Sequence, residues 1–334
     1  MAGKVFKNQA NSTIVDIAKR ANVTNITVSR AFNKPDLVKP ETRKIILEIA
    51  KELNYIPNVF AQNLKNNQSK IIGFVSDSTF NPVYGVILKR LCKMADERGY
   101  IVMIFETGGS KSAERRAVQT LFGHKASAIL LSVVSDRDGY HPDYLDLAQH
   151  YNIPLVLFDR DIPGSNLPGV FLNNIEIGVR AGKYLFKKDY PSYLIFAGPK
   201  DSDISLDRIS GLLGGLRLTD KTIDIIHTAY TLDDSYPLVL DYLKGLETLP
   251  DCIIGINGLI SLSVIKALAT LNIEEVSLFS IDAVPYADIF DRNVPCIDNH
   301  PSEWGEKVGQ LVFNILDNKC LPNERVYIHS TLKE

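Results

Sequence analysis

The sequence predicts an N-terminal all-α head with a helix-turn-helix unit, a hinge helix or linker, and a C-terminal α/β body of two doubly wound subdomains. We place the head at residues 1–57, the hinge at 58–69 and the body at 70–334. The head shows short apolar stripes at helical spacing. The body alternates near-continuous apolar runs with helical patterns, which is typical of parallel sheets covered on both faces. About ten strand candidates are too many for one doubly wound sheet, so we expect two subdomains.

The first predicted helix begins at Thr13 in the segment TIVDIAKRA. Thr13 and Asp16, three residues apart, resemble a capping pair with Asp in place of the usual Glu. Ile14, Ile17 and Ala18 form an apolar stripe at helical spacing, so this segment is predicted to be a short amphipathic helix.

The second predicted helix follows in VTNITVSR, a polar stretch rich in side-chain hydroxyls. Ser and Thr are mediocre helix formers, so their presence here needs a reason. Thr24 can cap a helix that runs from Asn25 to about Asn33, with the apolar side chains facing inward. The side chains left pointing outward are those of Asn25, Ile26, Thr27, Ser29 and Arg30.

A third predicted helix starts at Pro40, since proline suits the first turn of a helix. Its apolar face is predicted to contain Ile45, Ile46, Ile49, Ala50 and Leu53. Two short helices joined by a tight turn, with a third closing the core, form a helix-turn-helix unit. The outward face of the second helix is where such units present base- and phosphate-reading groups. A solvated three-helix bundle without a polar partner remains the alternative.

The charge distribution agrees with a polyanionic partner for the head. The chain has 334 residues and a formal net charge of −2, with 45% hydrophobic and 23% charged residues. Residues 1–70 hold 12 Lys and Arg against 5 Asp and Glu, whereas the remainder holds 25 against 34. A basic head on an acidic body indicates one face for a polyanion and another for a different partner.

Several other protein classes lack support. The four cysteines have no CxxC spacing and the six histidines no metal spacing, so we expect neither a disulfide framework, a metal nor a cofactor. No secretory signal or membrane-length apolar run is visible, which predicts a cytoplasmic, nucleoid-associated bacterial protein. No common nucleotide-binding, hydrolase or zinc-protease motif is present, so we expect no enzyme.

Polar side chains follow the predicted strands of the body, where ligands of doubly wound sheets bind. Asp, Asn and Arg can make paired hydrogen bonds to vicinal hydroxyls. The strand-end residues are Asp77, Ser132, Asp159 with Arg160, Asn173, Arg208, Asn257, Asp282 and Asn299. Phe80 or Tyr84 could stack on a sugar face. Any one of these residues could instead be an ordinary loop cap.

The head resembles the LacI/GalR family of repressors. The segments TIVDIAKRANVTNITVSRAFN, KPETRKIILEIAKELNYIPN and NVFAQNLKNNQSKIIGFV carry the resemblance over about sixty residues. It implies that Asn25, Ile26 and Arg30 read base edges in the major groove, with Ile26 against a thymine methyl group.

The same resemblance implies roles for the remaining head residues. Those expected to hold phosphates or the DNA backbone are Thr13, Thr24, Thr27, Ser29, Asn33, Thr42, Tyr55 and Asn58. Leu64 is expected to enter the minor groove from a hinge helix, paired with its mate from a second subunit.

The body resembles the periplasmic-binding-protein fold that this family uses as its effector domain. The segments DSTFNPVYG, SLDRISGL, IDAVPYADIF and PCIDNHPSEWGEKV carry this weaker resemblance, and the region from Ile153 is similar to the sucrose- and fructose-repressor branch. We expect crossovers between subdomains near residues 170, 300 and 328, and Arg208 as the sugar clamp. The expected effector-binding residues are Asp77, Phe80, Tyr84, Ser132, Arg160, Asn173, Arg208, Asn257, Asp282 and Asn299.

The resemblance implies a homodimeric transcription repressor of a carbohydrate operon that binds pseudo-palindromic operator DNA and responds to a sugar or sugar phosphate. No leucine heptad follows the last strand, so we expect a dimer rather than a tetramer. Three alternatives remain. A sugar-binding transport protein leaves the basic head unexplained, a carbohydrate enzyme needs an activated acid or nucleophile, and a purine-type regulator would use a corepressor.

Overall fold

The computed structural model describes residues 12–56, 69–217, 221–290, 294–321 and 323–334. The chain forms two compact units, Met1–Asn67 and Gln68–Glu334. Asn58 and Leu64 lie outside the described residues, so the hinge and its minor-groove wedge stay predictions.

Three α-helices form the described part of the head: α1 (Ile14–Arg20), α2 (Asn25–Asn33) and α3 (Pro40–Glu52), with a short 3₁₀ turn at Pro35–Leu37. Thr13 and Asp16 form the predicted reciprocal capping box. The hydrogen bonds from Thr13 to the Asp16 carboxylate lower the pKa of Asp16. These local bonds satisfy backbone donors that the first helical turn leaves open.

The core of the head is small. Its buried side chains are Ile17, Ala18, Val28, Ala31, Ile46 and Ala50. The prediction that Ile45 shares this face is wrong, since Ile45 is 50% exposed. Consecutive helical residues point about 100° apart, so Ile45 cannot follow Ile46 into a narrow core.

Twelve strands of the described body form two six-stranded sheets. The first sheet has the order β11-β5-β4-β3-β1-β2 and the second has the order β12-β10-β9-β8-β6-β7. All ten strand candidates form strands, and the final apolar run supplies two short strands that join different sheets. The bounds are β1 (Ile71–Ser76), β2 (Ile101–Glu106), β3 (Ala128–Leu131), β4 (Leu155–Phe158), β5 (Gly169–Leu172), β6 (Ser192–Ala197), β7 (Thr222–His227), β8 (Cys252–Gly255), β9 (Ser277–Ile281), β10 (Cys296–Asp298), β11 (Arg325–Ile328) and β12 (Thr331–Lys333).

The strand pairs are parallel except for β12, which runs antiparallel to β10. Strands β1, β3, β4, β5 and β8 are buried along their whole length. This burial explains their unbroken apolar sequences, because strands covered on both faces do not alternate.

Eight α-helices of the described body cover the sheets, and none of the described helices is both long and apolar enough to cross a bilayer. A 3₁₀ turn lies at Ala287–Phe290. The helices are α4 (Pro82–Asp96), α5 (Lys111–Gly123), α6 (Tyr144–Tyr151), α7 (Asn174–Lys188), α8 (Asp203–Leu216), α9 (Leu232–Lys244), α10 (Gly258–Thr270) and α11 (Pro301–Leu316).

The chain passes between the two sheets three times. It leaves the first sheet after β5 and returns to it after β10, as shown by the packing of α11 on α4 and β5. It leaves the first sheet again between β11 and β12. The connecting residues are therefore Asn173, Asn299 with His300, and His329 with Ser330. Each sheet with its helices is called a subdomain below.

Helices α7 and α8 of the second subdomain pack backbone to backbone. A Cβ atom on Gly211 would lie 2.1 Å from the Ile175 carbonyl oxygen, and one on Gly182 would lie 2.3 Å from that of Leu212. No atom of a neighbour lies within 4 Å of the corresponding position on Gly214. The helix pair therefore requires glycine at the crossing but not elsewhere on α8.

Gly211→Ala is expected to lower the free energy of unfolding by about 1–3 kcal/mol, because the added methyl group overlaps backbone atoms that cannot move aside. Gly214→Ala, three residues further along α8, is the matched control and should raise stability by about 0.5–1 kcal/mol. Urea denaturation followed by circular dichroism measures both changes. Equal stability of the two variants would contradict this account of the helix crossing.

Candidate functional site

Helix α2 presents an exposed polar face in the head. Asn25 and Arg30 are exposed, and Ile26 is 58% exposed although it is apolar. Thr24 caps α2 by accepting a hydrogen bond from the Thr27 backbone N–H at 3.2 Å. The exposed face of α2 therefore combines polar side chains with one apolar side chain, which is compatible with the predicted contact of Ile26 with a thymine methyl group.

The other predicted DNA-binding residues surround this face or support it. Thr13, Thr24 and Asn33 are exposed, whereas Thr27, Ser29, Thr42 and Tyr55 are half-buried. The Tyr55 ring packs 5.8 Å from that of Phe32, so Tyr55 also stabilises the small core. Their roles toward DNA stay predictions.

A cavity of about 220 Å³ lies between the two subdomains, at the carboxyl ends of their strands. Both subdomains contribute walls. Its polar lining residues are Asn81, Tyr84, Asp159, Arg208, Asn257, Asp282, Asp298 and Asn299, and apolar walls include Val83, Leu172, Leu259 and Trp304.

Arg208 on α8 is fixed by three hydrogen bonds. Its Nη1 donates to Asp282 Oδ2 at 2.9 Å and to the Ile256 carbonyl oxygen at 2.9 Å, and its Nε donates to Asn174 Oδ1 at 2.9 Å. No group in the described part of the chain accepts a hydrogen bond from Nη2. Arg208 therefore lines the cavity with its guanidinium held in place and one nitrogen available.

Asp282 is the second member of this buried pair. Burial raises the pKa of the Asp282 carboxyl, and the nearby Arg208 guanidinium opposes that rise. Its Oδ1 accepts a hydrogen bond from the Asn299 amide, whose Oδ1 in turn accepts one from the Ser330 hydroxyl at 2.5 Å. Asn299 and Ser330 belong to two of the three connections between subdomains.

Tyr84 and Asp159 form the opposite polar wall. The Tyr84 hydroxyl donates to Asp159 Oδ2 at 2.6 Å and lies 3.1 Å from Ser132 Oγ. Burial raises the pKa of both side chains, so the Tyr84 phenol stays protonated and the Asp159 carboxylate is held at an energetic cost.

Arg160 and Asp77 stand behind this wall rather than in it. Arg160 Nη2 lies 3.5 Å from Asp77 Oδ2, and its Nη1 donates to the Val133 carbonyl oxygen at 3.2 Å. Asp77, Arg160 and Ser132 do not line the cavity, but the charges of Asp77 and Arg160 act on Tyr84 and Asp159.

The backbone is unusual where the strands meet the cavity. Asp159 has a φ of 65° and Asp282 a φ of 87°, just after β4 and β9. Such conformations cost energy in residues with a Cβ atom and are concentrated at functional sites. The surrounding structure thus holds both carboxylates in place despite the energetic cost of the backbone conformation and of burying a charge.

The structure brings five of the ten predicted effector residues to the cavity: Tyr84, Arg208, Asn257, Asp282 and Asn299. Phe80 is 88% exposed and does not line the cavity. Asn173 is exposed and caps α7 by accepting from the Glu176 backbone N–H at 3.1 Å, whereas its neighbour Asn174 contacts Arg208.

Sequence reasoning missed part of the lining. Asp159 is among the strand-end residues but not among the expected effector-binding residues, and Asn81, Asp298 and Trp304 belong to neither set. Trp304 is the sole tryptophan of the chain, which is a signal that could have identified it. Within the described ranges, His, Cys, Asp and Glu side chains nowhere gather in a group of three that could hold a metal ion.

The two units match known families in the order of the chain. Residues 13–58 match bacterial regulatory proteins of the lacI family, and residues 72–319 match the periplasmic binding protein domain. The HTH-type transcriptional repressor PurR of Pasteurella multocida (strain Pm70) is 24% identical over 328 residues, which cover 96% of this chain and 97% of PurR.

Solved structures show the same fold at low sequence identity. The lac repressor dimer bound to operator and the anti-inducer ONPF has a TM-score of 0.79 at 19% identity, covering 97% of this chain and 98% of that one. The Cra transcriptional dual regulator from Pseudomonas putida in complex with fructose 1-phosphate has a TM-score of 0.72 at 17% identity, covering 79% and 98%. The predicted helix-turn-helix head and α/β body of two doubly wound subdomains are confirmed, and the hinge helix stays a prediction.

Asp159→Asn is expected to raise the free energy of unfolding at pH 7. A carboxyl whose pKa is raised on folding destabilises the folded state when charged, and the gain should shrink as the pH falls through that raised pKa. Asparagine tolerates the positive φ and still accepts the Tyr84 hydrogen bond. Urea denaturation between pH 4 and 8 measures the effect, with exposed Asp138→Asn as control. A variant less stable than the parent at pH 7 would contradict this reading.

Proposed function

Because the chain belongs to the lacI family of bacterial regulatory proteins and carries a periplasmic binding protein domain, we propose that it is a dimeric repressor switched by a small uncharged carbohydrate. Its relatives are transcription regulators, so the chain is a DNA-binding regulator and not an enzyme. A regulator of this kind acts at the bacterial nucleoid, in the cytoplasm.

The head would bind operator DNA through the exposed face of α2. Asn25, Ile26 and Arg30 are assigned to base edges, and the hydroxyl and amide side chains around them to phosphates. A two-fold dimer places one such helix on each half of a pseudo-palindrome. Asn58 and Leu64 keep their proposed contacts to the DNA backbone and the minor groove.

The arrangement of Arg208 is the single observation that carries the effector proposal. Its guanidinium lines the cavity, is fixed by Asp282 and Asn174, and keeps Nη2 available. Asn81, Asn257 and Asp159 add further donors and acceptors around the same space. Paired donors and acceptors of this kind match the vicinal hydroxyls of a sugar, and the Trp304 side chain offers an apolar wall.

The charges around the cavity support an uncharged ligand over a phosphorylated one. Asp159, Asp282 and Asp298 line it against the single cation of Arg208, and no lysine is among the lining residues. The N-termini of α4, α10 and α11 also border the cavity, and their partial positive charges offset these carboxylates. Pro82 and Pro301 leave two of these helices without one backbone donor each.

A purine corepressor is the second candidate. Its support is the similarity to PurR over nearly the whole chain. A flat heterocycle would pack on the apolar walls and hydrogen-bond to Asn81 and Asn257.

Ile26→Ala is expected to weaken binding to the specific operator by about 1–2 kcal/mol, since part of the apolar contact with a thymine methyl group is lost. Binding to non-specific DNA should change little. Ile45→Ala removes an equally apolar exposed side chain from α3 and should leave both affinities unchanged. Fluorescence anisotropy at several salt concentrations, with an operator selected from a palindromic pool, measures all three proteins. Equal losses on both DNAs would remove Ile26 from base readout.

A thermal-shift screen of the full chain tests the ligand class. Neutral monosaccharides, disaccharides, sugar phosphates and purine bases are compared, since a ligand of the folded state raises the melting temperature. We expect stabilisation by a neutral saccharide. Stabilisation by a purine base or a sugar phosphate alone would overturn the proposal of an uncharged carbohydrate.

Arg208→Lys is expected to abolish the thermal shift given by that saccharide while operator binding persists. Lysine keeps a positive charge beside Asp282 but lacks the planar donor pair. The saccharide should also no longer release the variant from operator DNA. An unchanged response to the saccharide would remove Arg208 from the binding site.

A further inference from the structure

Helix α8, which carries Arg208, receives its N-terminal cap from the other subdomain. The side chain of its own N-cap residue, Ser202, makes no capping hydrogen bond. Asp136 provides the cap, because its Oδ1 accepts from the Asp203 N–H at 3.2 Å and its Oδ2 from the Ile204 N–H at 3.1 Å. Five other helices of the body are capped by their own N-cap side chains: Asn81, Ser110, Asn173, Thr231 and Asn257.

Asp136 belongs to the first subdomain, in the segment that follows β3. The buried carboxylate of Glu114 on α5 clamps this segment, accepting from the Val134 N–H at 2.6 Å and from the Tyr144 hydroxyl at 2.7 Å. Arg160 adds a hydrogen bond to the Val133 carbonyl oxygen. These hydrogen bonds therefore restrain the segment that carries Asp136.

The surrounding contacts also join the two subdomains but are weaker. Arg137 lies 3.7 Å from the Asp203 carboxylate, and both side chains are about half-exposed. The Arg160 guanidinium lies 5.7 Å from the Tyr230 ring, whose hydroxyl donates to Ser202 at 2.8 Å. Exposed ion pairs contribute little, so the carboxylate of Asp136, only 8% exposed, is the dominant contact.

We propose that Asp136 is a latch across the cleft, which holds the two subdomains in the arrangement seen here and thereby positions Arg208 at the cavity. Asp136 does not line the cavity, so it acts on ligand binding through closure and not by touching the ligand. The negative carboxylate is favoured at the positive end of the α8 dipole, and separating the subdomains would leave two backbone donors of α8 without their partner.

The sole tryptophan provides a direct test on the full chain without any ligand. Trp304 lines the cavity and is 2% exposed. Asp136→Ala removes both acceptor oxygens and should raise the ratio of open to closed molecules about tenfold, the change expected for the loss of a strong cap. Acrylamide quenching of Trp304 fluorescence should therefore increase relative to the parent protein.

Two control variants isolate the latch from general charge effects. Asp138→Ala removes an exposed carboxylate two residues away, and Arg137→Ala removes the exposed ion pair. Both should be quenched like the parent protein. Urea denaturation shows whether Asp136→Ala is folded under the quenching conditions. If it is not, Asp136→Asn, which keeps one acceptor oxygen but loses the charge, takes its place and should show a smaller increase in quenching in the same direction.

Hydrogen exchange at the Asp203 and Ile204 amides separates closure from local capping. We expect Asp136→Ala to lose protection at these amides and to expose Trp304. Lost protection with unchanged quenching would mean that Asp136 caps α8 without holding the cleft, and would overturn the latch. Unchanged protection and quenching would overturn both the cap and the latch.

Discussion

The buried ion pair between Arg208 and Asp282 is the interaction on which the geometry of the cavity depends. Both side chains are largely removed from solvent, with exposed fractions of 5% and 17%. Removing one partner of such a pair leaves an uncompensated charge, which is strongly destabilising. The pair therefore holds helix α8 and the end of strand β9 together at the wall of the cavity.

Hydrogen bonds lead from this pair to all three connections between the subdomains. Arg208 donates to Asn174, next to the first connection, and Asp282 accepts from Asn299 in the second, which is bonded to Ser330 in the third. A ligand that engages Arg208 thus contacts a group joined to every segment about which the subdomains could move. Such a ligand shifts the equilibrium between subdomain arrangements only to the extent that it binds one arrangement more tightly than another.

Part of this site was predictable from local sequence. Residue spacing predicts the capping pair of Thr13 and Asp16. Unbroken apolar runs predict the buried strands and their order along the chain. Arg208 and Asp282 are among the polar residues that follow the predicted strands, and the resemblance of their segments to a known family points to the same two residues. Asn173 is predicted to bind the effector, whereas its neighbour Asn174 contacts Arg208. A capping asparagine and one that contacts the site look alike in sequence. The prediction for Ile45 is wrong because Ile45 and Ile46 are both apolar, and composition does not show how wide the buried face of the helix is.

The sequence by itself determined the two units, the ten strands read from apolar runs, the three helices of the head, the basic charge of the head and the exposed polar face of α2, because these depend on local periodicity and charge. Only the tertiary structure decided which strand-end residues meet in one cavity. Asp298 and Trp304 enter it because the chain returns to the first sheet there, and Asp136 reaches α8 across the cleft. Contacts between residues more than sixty positions apart depend on how the sheets are ordered and packed, which no local pattern encodes.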